Sequence, residues 1–133
     1  MRILALDWGT VRVGAAISDP DGKFAFPLDK FIDSQNAIEE IKNIIAESQV
    51  EKVIIGLPKG LAGQDTPSTA RAEEFIAKLK TVVAQPIELM DERFSSVSAG
   101  KTLTSLGVKV KDQRAMVDNL AAQQMLERYL SGN

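Results

Sequence analysis

Residues 2–18 read RILALDWGTVRVGAAIS, and this stretch decides the fold because two strand patterns follow each other across a turn. Apolar side chains alternate between two faces over 2–7, which is typical of a β-strand, and one of these rows ends on Asp7. The tripeptide Trp8-Gly9-Thr10 is typical of a tight turn, and 11–18 is a second predicted strand. Within that strand, Gly14 indicates a bulge or a point where another segment approaches the backbone closely.

The segment that follows completes a meander and then changes to helical periodicity. A third strand is predicted over 24–31, and Pro27 within it favours an edge position because proline cannot donate to a neighbouring strand. Isoleucines then recur at helical spacing, so a helix is predicted with Asp33 or Ser34 as its N-cap. Residues 52–58, KVIIGLP, form a nearly continuous apolar run, which is typical of a central parallel strand buried on both faces.

The remaining sequence alternates helices with one further strand. Thr66 followed by Pro67 predicts the start of a second helix, because proline is favoured at the first helical position. A short strand is predicted over 87–90, a third helix over 95–106 and a final helix over 113–130. The order βββαβαβαα predicts an α/β fold with one mixed five-stranded sheet flanked by helices. The first three strands would form an antiparallel meander, and the last two would be parallel.

The composition excludes several classes of chemistry. The chain has 133 residues, the usual size of one domain, so a single domain over 1–133 is expected. It contains 0 Cys and 0 His, which excludes disulfides, Ser-His or Cys-His nucleophile pairs and Cys- or His-ligated zinc. Enzymatic chemistry would therefore depend on carboxylates, Lys, Arg, hydroxyls, backbone groups or an oxygen-ligated metal.

Charge and hydropathy set weaker limits. The net charge of −2 argues against a strongly basic protein that coats nucleic acid, although a local basic patch is compatible with it. No apolar run approaches the length of a membrane span, and the first residues lack the apolar core and cleavage site of a secretory signal. We therefore expect no membrane association and a cytoplasmic location.

Three acidic residues stand where the local pattern predicts something else. Asp7 ends the first strand, Glu92 follows the strand over 87–90, and Asp118 interrupts the apolar face of the last helix. Ligands of open α/β sheets gather beyond the carboxyl ends of parallel strands. If the three carboxylates meet there, divalent cations would neutralise their repulsion, and two such ions would assist phosphodiester hydrolysis. Taken alone, an acidic residue at such a position is more often a turn former or a helix cap than a ligand, and Asp91 is an alternative to Glu92.

Four sequence blocks form a joint pattern. The first block is LDWGTVRVGAAISD over 6–19, and the second is IIGLP over 54–58. The third is MDERFSS over 90–96, and the fourth extends over 117–130. Together they resemble the YqgF/RuvX family, a group of pre-16S ribosomal RNA nucleases that are also called Holliday-junction-resolvase-like proteins. The blocks follow in the family's order and separation and span almost the whole chain, so the joint match is far more specific than a lone DxGT turn.

The resemblance implies an RNase H-like fold, Mg²⁺ or Mn²⁺ as cofactor, and two-metal-ion hydrolysis of phosphodiesters in structured nucleic acid. Carried over position by position, it makes Asp7, Glu92 and Asp118 the catalytic and metal-binding triad. It also implies that the substrate is the precursor of 16S ribosomal RNA, processed at its 5′ end. The chain departs from the family over 59–63, KGLAG, where relatives often carry an Asn and a Met-Asp-Gly turn. Any role of those polar side chains is therefore not carried over.

Substrate contacts would come from cationic and aromatic side chains. Residues 101–114 are net positive in an acidic chain, and Arg12 and Arg93 each lie near a proposed acidic site. Trp8 would stack on an unpaired base, although packing against the sheet edge is the more ordinary role for it. Phosphate contacts would make binding weaken as salt rises. The candidate substrate-binding residues are Trp8, Arg12, Arg93, Lys101, Lys109, Lys111 and Arg114.

Other functions are compatible with the same residues. A Holliday junction resolvase would act on branched DNA as a twofold dimer that makes paired cuts. A catalytically silent nucleic-acid adaptor would bind without cleavage and without metal. The turn Asp7-Trp8-Gly9-Thr10 also resembles the first phosphate-binding turn of actin-like and sugar-kinase ATPases, but those folds need two such domains around a cleft. The expected partner is nucleic acid, and the expected state is a monomer or a weak homodimer.

Overall fold

Five strands form one mixed sheet in the computed structural model, which describes residues 1–30, 32–58, 66–92 and 110–132; for 58, 91, 92 and 110–115 it describes the backbone alone. The strands are β1 (Ile3–Asp7), β2 (Gly14–Ser18), β3 (Ala25–Pro27), β4 (Lys52–Pro58) and β5 (Ile87–Glu92). Their order across the sheet is β3-β2-β1-β4-β5. The pairs β1–β2 and β2–β3 are antiparallel, whereas β1–β4 and β4–β5 are parallel. The predicted mixed α/β fold is confirmed.

Within the described ranges, three helices cover the two faces of this sheet: α1 (Ala37–Ser48), α2 (Pro67–Val82) and α3 (Val110–Leu130). Leu4 and Leu6 of β1 join the apolar cluster of α1 and α2 on one face, while Ile3 and Ala5 join the cluster of α3 on the other. The alternation seen in the first strand therefore serves two separate cores. Among the described residues, no helix combines the length and apolarity that spanning a bilayer requires.

Three predicted strands are shorter than expected and one is longer. The first strand begins at Ile3 rather than at residue 2. The second strand begins at Gly14 rather than at residue 11, because Arg12 forms only an isolated bridge, with Asp33. The third strand covers Ala25–Pro27 rather than 24–31, and it lies at the sheet edge as the proline indicated. The fifth strand continues to Glu92 rather than ending at residue 90, so the acidic pair lies inside the strand.

The helix boundaries were predicted correctly where capping residues act through their side chains. Thr66 caps α2 in a reciprocal capping box with Thr69, and Pro67 is the first helical residue, as predicted. The predicted N-cap of α1 is wrong, because that helix starts after Asn36. Asp33 accepts a bond from the Gln35 amide instead, and the Ser34 hydroxyl donates to the Thr10 carbonyl. The last helix starts at Val110 rather than 113, and the helix predicted over 95–106 lies outside the described residues.

A polar cluster joins the amino-terminal ends of β4 and β5 to the end of α3. Lys52 Nζ lies 2.8 Å from Glu88 Oε2, donates to the Tyr129 hydroxyl and sits 5.0 Å from the centre of the Tyr129 ring. The hydrogen bond from Lys52 lowers the pKa of Glu88, and the bonds to Glu88 and Tyr129 raise the pKa of Lys52. This cluster holds the last turns of α3 at the amino-terminal ends of β4 and β5, which is the end of the sheet opposite to the one at which β1 ends.

Candidate active site

Asp7 ends β1 on the sheet face that carries α3. The row Ile3, Ala5, Asp7 keeps one parity, and the first two members pack in the α3 cluster. The register partners of Asp7 are Gly14 on β2 and Gly56 on β4, both of which lack a side chain. The strand thus carries a partly buried carboxylate to the carboxyl edge of the sheet, between two glycines.

Gly14 is also the point at which α3 crosses β2. A Cβ placed on Gly14 would collide with the backbone carbonyl of Asp118 and approach its Cβ to 2.8 Å. The φ angle of Gly14 is not among the positive ones, so the glycine is required by space and not by backbone conformation. Because Gly14 is the neighbour of both Asp7 and Asp118, the fold brings these two acidic residues from opposite ends of the chain to one place.

Arg12 is paired with Asp118. Its Nε donates to Asp118 Oδ2 over 2.8 Å, and the two side chains are 29% and 28% exposed, so the pair lies at the rim of the site. Arg12 itself is positioned by the bridge to Asp33, and the next amide, that of Val13, donates to the Ile32 carbonyl. The arginine predicted to hold a phosphate therefore holds a carboxylate of the candidate site in this state.

Asn119, which the sequence analysis missed, fixes α3 at this position. Its Oδ1 accepts the Ala15 amide at 2.9 Å, and its Nδ2 donates to the carbonyls of Leu28 and Lys30 at 2.8 and 3.0 Å. The residue is 5% exposed, so these bonds are shielded from water. The sequence did contain a signal for this role. Asn119 places a side-chain amide next to Asp118 on a predicted apolar helix, and buried polar groups need specific partners.

The register of β5 separates Glu92 from Asp91. Met90 pairs with Gly56, the same residue that pairs with Asp7, and Met90 packs in the α3 cluster. Glu92 is two residues, about 7 Å of strand, beyond Met90 and occupies a position of the same parity, whereas Asp91 has the opposite parity. The position of Glu92 therefore belongs to the α3 face, which favours it over Asp91 as the third acidic residue. The side chains of both lie outside the described part.

The donor chemistry at this edge fits a hard divalent cation. Asp7 and Asp118 supply carboxylate oxygens, which Mg²⁺ and Mn²⁺ prefer over nitrogen or sulfur ligands. Among the side chains that the structure describes, no three acidic residues meet closely enough to share an ion. The third predicted ligand, Glu92, is not in that set, so the full triad stays a prediction.

The predicted substrate-binding residues fall into three groups. Trp8 and Arg12 are described with their side chains, and Trp8 is partly buried against the α1 and α2 cluster. Lys111 and Arg114 are placed by backbone alone in the first turns of α3. The others lie outside the described residues: Arg93, Lys101 and Lys109. The loop over 59–63 lies outside them as well.

The fold places the chain in a structural class. It superposes on the Fowlpox virus resolvase in complex with Holliday junction DNA with a TM-score of 0.58, at 14% identity, covering 99% of this chain and 98% of that one. Thermus thermophilus RuvC, in complex with a Holliday junction substrate, gives a TM-score of 0.58 at 14% identity, covering 99% and 94%. At these identities the likeness shows the fold, which is that of the RuvC-like resolvases.

The sequence then gives the family. Residues 1–132 match the family described as "RuvX: Holliday junction resolvase". A Maridesulfovibrio salexigens protein is 40% identical over 134 residues, covering 98% of each chain. A Koribacter versatilis protein is 37% identical over 131 residues, covering 97% of this chain and 86% of its own. Both are named "Putative pre-16S rRNA nuclease". The chain belongs to the RuvX family, so the resemblance found in the sequence is confirmed.

Proposed function

We propose that this chain is a metal-dependent nuclease that hydrolyses phosphodiesters of structured nucleic acid and processes the 5′ end of precursor 16S ribosomal RNA. The observation that carries the proposal is the close approach at Gly14, which brings Asp118 beside the strand end occupied by Asp7. The names of relatives that align over nearly the whole chain support the choice of substrate. In this proposal the protein acts in the cytoplasm, and residues 1–133 form a single nuclease domain.

Asp7, Glu92 and Asp118 are the residues that would hold Mg²⁺ or Mn²⁺. Two ions bound there would polarise the phosphodiester and stabilise both the attacking and the leaving oxygen. Arg12 keeps the Asp118 carboxylate oriented and partly neutralised through its Nε bond, and Asn119 holds the helix that carries Asp118. With no imidazole in the chain, the reaction needs this carboxylate chemistry in place of a histidine base.

The test compares cleavage by matched carboxamide variants. Asp7→Asn and Asp118→Asn should each lower Mg²⁺-dependent cleavage of a 5′-extended 16S precursor transcript by more than about 100-fold, since even partners of metal ligands change activity roughly 10–100-fold. Asp29→Asn removes the same charge at an exposed residue outside the site and should retain wild-type activity. Equal cleavage by all four proteins would exclude the carboxylate site, and RNA binding without any cleavage would favour an adaptor.

Branched DNA is the second candidate substrate, because the family is described as Holliday junction resolvases. A four-way DNA junction presented under the same conditions separates the two functions. Paired symmetric cuts that depend on Asp7, together with a dimer in solution, would identify a resolvase. Cleavage confined to the precursor transcript would identify a ribosomal RNA nuclease.

A further inference from the structure

A groove with no assigned role opens between α1 and α2, on the sheet face opposite to α3. Its volume is about 370 Å³, within the range of small-ligand sites. Its apolar lining comes from Trp8, from Ile38 on α1 and from Phe75 on α2. Trp8 follows Asp7 directly, so the two Cα atoms are about 3.8 Å apart across one peptide bond. The groove therefore begins at the strand end where the candidate active site lies.

The rim of this Trp8 groove is cationic. Arg71 and Lys78 are both exposed and lie seven residues apart on one face of α2, which separates them by about 10.5 Å along the helix. Glu74 lies between them, so the three side chains leave a net charge of +1 at the rim. Within the described part of the chain, neither cation has an ion-pair partner. Two cations at this spacing are better suited to an extended polyanion, which presents a row of charges, than to a single phosphate.

Polar groups on the opposite wall suit the sugar and base edges of a nucleotide. Thr10, Ser34 and Gln35 line this side of the groove. The Ser34 hydroxyl donates its proton to the Thr10 carbonyl at 2.8 Å, which leaves its oxygen lone pairs to accept a hydrogen bond. An aromatic surface beside hydroxyl and amide groups, with cations on the outer rim, is the arrangement that binds unpaired bases with their phosphates outward.

We propose that the Trp8 groove binds an unpaired nucleotide segment of the substrate strand next to the cleaved phosphodiester, with Trp8 stacking on a base and Arg71 and Lys78 contacting phosphates. The proposal rests on the proposed nuclease function for the identity of the strand. It goes beyond that function by assigning two residues of α2 to substrate binding. It also requires single-stranded character beside the cut, because a paired base offers no free face to Trp8.

The test uses Trp8 as its own probe, since it is the single tryptophan of the chain. A single-stranded RNA decamer titrated into the intact protein in EDTA should quench Trp8 fluorescence saturably, and the same sequence as a duplex should not. Arg71→Gln with Lys78→Gln should weaken binding about tenfold and reduce the slope of log K against log salt by about 1.4, from two phosphate contacts at about 0.7 each.

The matched control removes the same two kinds of charge elsewhere. Lys80 lies outside the Trp8 groove, in the hollow lined by Leu57 and Leu89, and Arg128 is exposed near the end of α3. Lys80→Gln with Arg128→Gln should leave quenching, affinity and salt slope at wild-type values. Equal losses in the two double variants would overturn the proposal, because the effect would then follow net charge. Equal displacement of the decamer by polyglutamate would also overturn it, since the groove would then bind acidic peptides.

Variants of Trp8 separate stacking from packing. Trp8 packs against the core, so Trp8→Leu, which keeps apolar bulk, is compared with Trp8→Phe, which keeps an aromatic face. Anisotropy of a labelled decamer should show a loss of about tenfold or more for Leu and recovery for Phe, with similar melting temperatures. Equal affinity in both would overturn the stacking contact. Asp7→Asn separates the groove proposal from the proposed function, because it should abolish cleavage and keep the quenching of Trp8 fluorescence by the decamer. If the wild-type protein binds the decamer but cleaves no nucleic acid, the nuclease proposal fails and the groove proposal is retained.

Discussion

Gly14 is the single residue on which the placement of Asp118 depends most directly. We expect Gly14→Ala to lower the free energy of unfolding by about 2 kcal/mol or more, because the added methyl group meets the α3 backbone rather than a flexible side chain. The affected contact includes the bond from the Ala15 amide to Asn119. Hydrogen exchange at the Ala15 amide should therefore accelerate more than exchange at the amides of β4. Chemical denaturation measures the loss of unfolding free energy, and hydrogen exchange measures the local effect.

Gly132→Ala is the converse case, in which alanine meets a strained backbone and no neighbour. Gly132 has a φ of 86° and no described atom within 4 Å, so its alanine variant reports a conformational cost of about 1–2 kcal/mol at most, a cost that Gly14, whose φ is not positive, does not carry. Exchange at the Ala15 amide should not change in that variant. A Gly14→Ala protein with wild-type stability and exchange would show that α3 docks without needing this close approach.

At this scale the sequence predicted the residue types and missed the contacts that join them. The acidic residue at the end of β1 was visible because the alternating pattern ran into it, and Gly14 was recognised as a possible close approach. Its partner was not predictable, since the collision depends on how α3 crosses β2. The choice between Asp91 and Glu92 likewise was not predictable. It depends on the continuation of β5 beyond residue 90, and only the pairing of β5 with β4 shows that continuation.

Among the elements, α3 is held against the sheet at its middle and near its end. At mid-helix Asn119 bonds to the β2 backbone, and near the end of the helix Tyr129 meets Lys52 and Glu88. Sequence periodicity predicted the helix and its apolar residues but neither fastening, because hydrogen bonds between distant segments leave no periodic signal. The first helix shows the same limit: two capping candidates were present, and both were used by neighbouring loops instead.

The Lys52–Glu88 pair gives the fastening of α3 a defined dependence on pH. The pKa of Glu88 is lowered by Lys52, so its contribution is present above the ordinary value of 4.5 and is lost as pH falls through the folded pKa. The pKa of Lys52 is raised, so its contribution is present below 10.5 and is lost as pH rises through the folded pKa. Glu88→Gln should therefore be less stable than wild type near pH 7, and the two should converge in acid.

A double-mutant cycle checks that this dependence belongs to the pair. In a Lys52→Met background, Glu88→Gln should change the difference in unfolding free energy between pH 7 and acid much less, because the bond from Lys52, the largest cause of the lowered Glu88 pKa, is gone and only the bond with Tyr129 remains. Urea denaturation at several pH values measures all four proteins. If Glu88→Gln has the same effect with and without Lys52, the pair does not produce the pH dependence.

At the scale of the whole molecule, the sheet has one apolar core on each face. Each face also carries one candidate functional surface, and the two surfaces meet at the carboxyl end of β1. The face of α3 carries Asp7 and Asp118, and the face of α1 and α2 carries the Trp8 groove, with Asp7 and Trp8 adjacent at the boundary. The fold class and family were predictable because periodicity and motif blocks extend along the whole chain. The groove was not, because Arg71 and Lys78 look like an ordinary solvated helix face until α1 is packed beside them.

Metal binding should appear as a change in the stability of the whole molecule. An ion that binds only the folded protein stabilises it by about 2.7 kcal/mol at one hundred times its dissociation constant, so Mn²⁺ should raise the melting temperature and EDTA should reverse the rise. Asp7→Asn should abolish this shift. Glu88→Gln, a carboxylate loss at the other end of the sheet, should keep it although its own melting temperature is lower. A shift of equal size in wild type and Asp7→Asn would place the ion elsewhere and separate metal binding from the proposed chemistry.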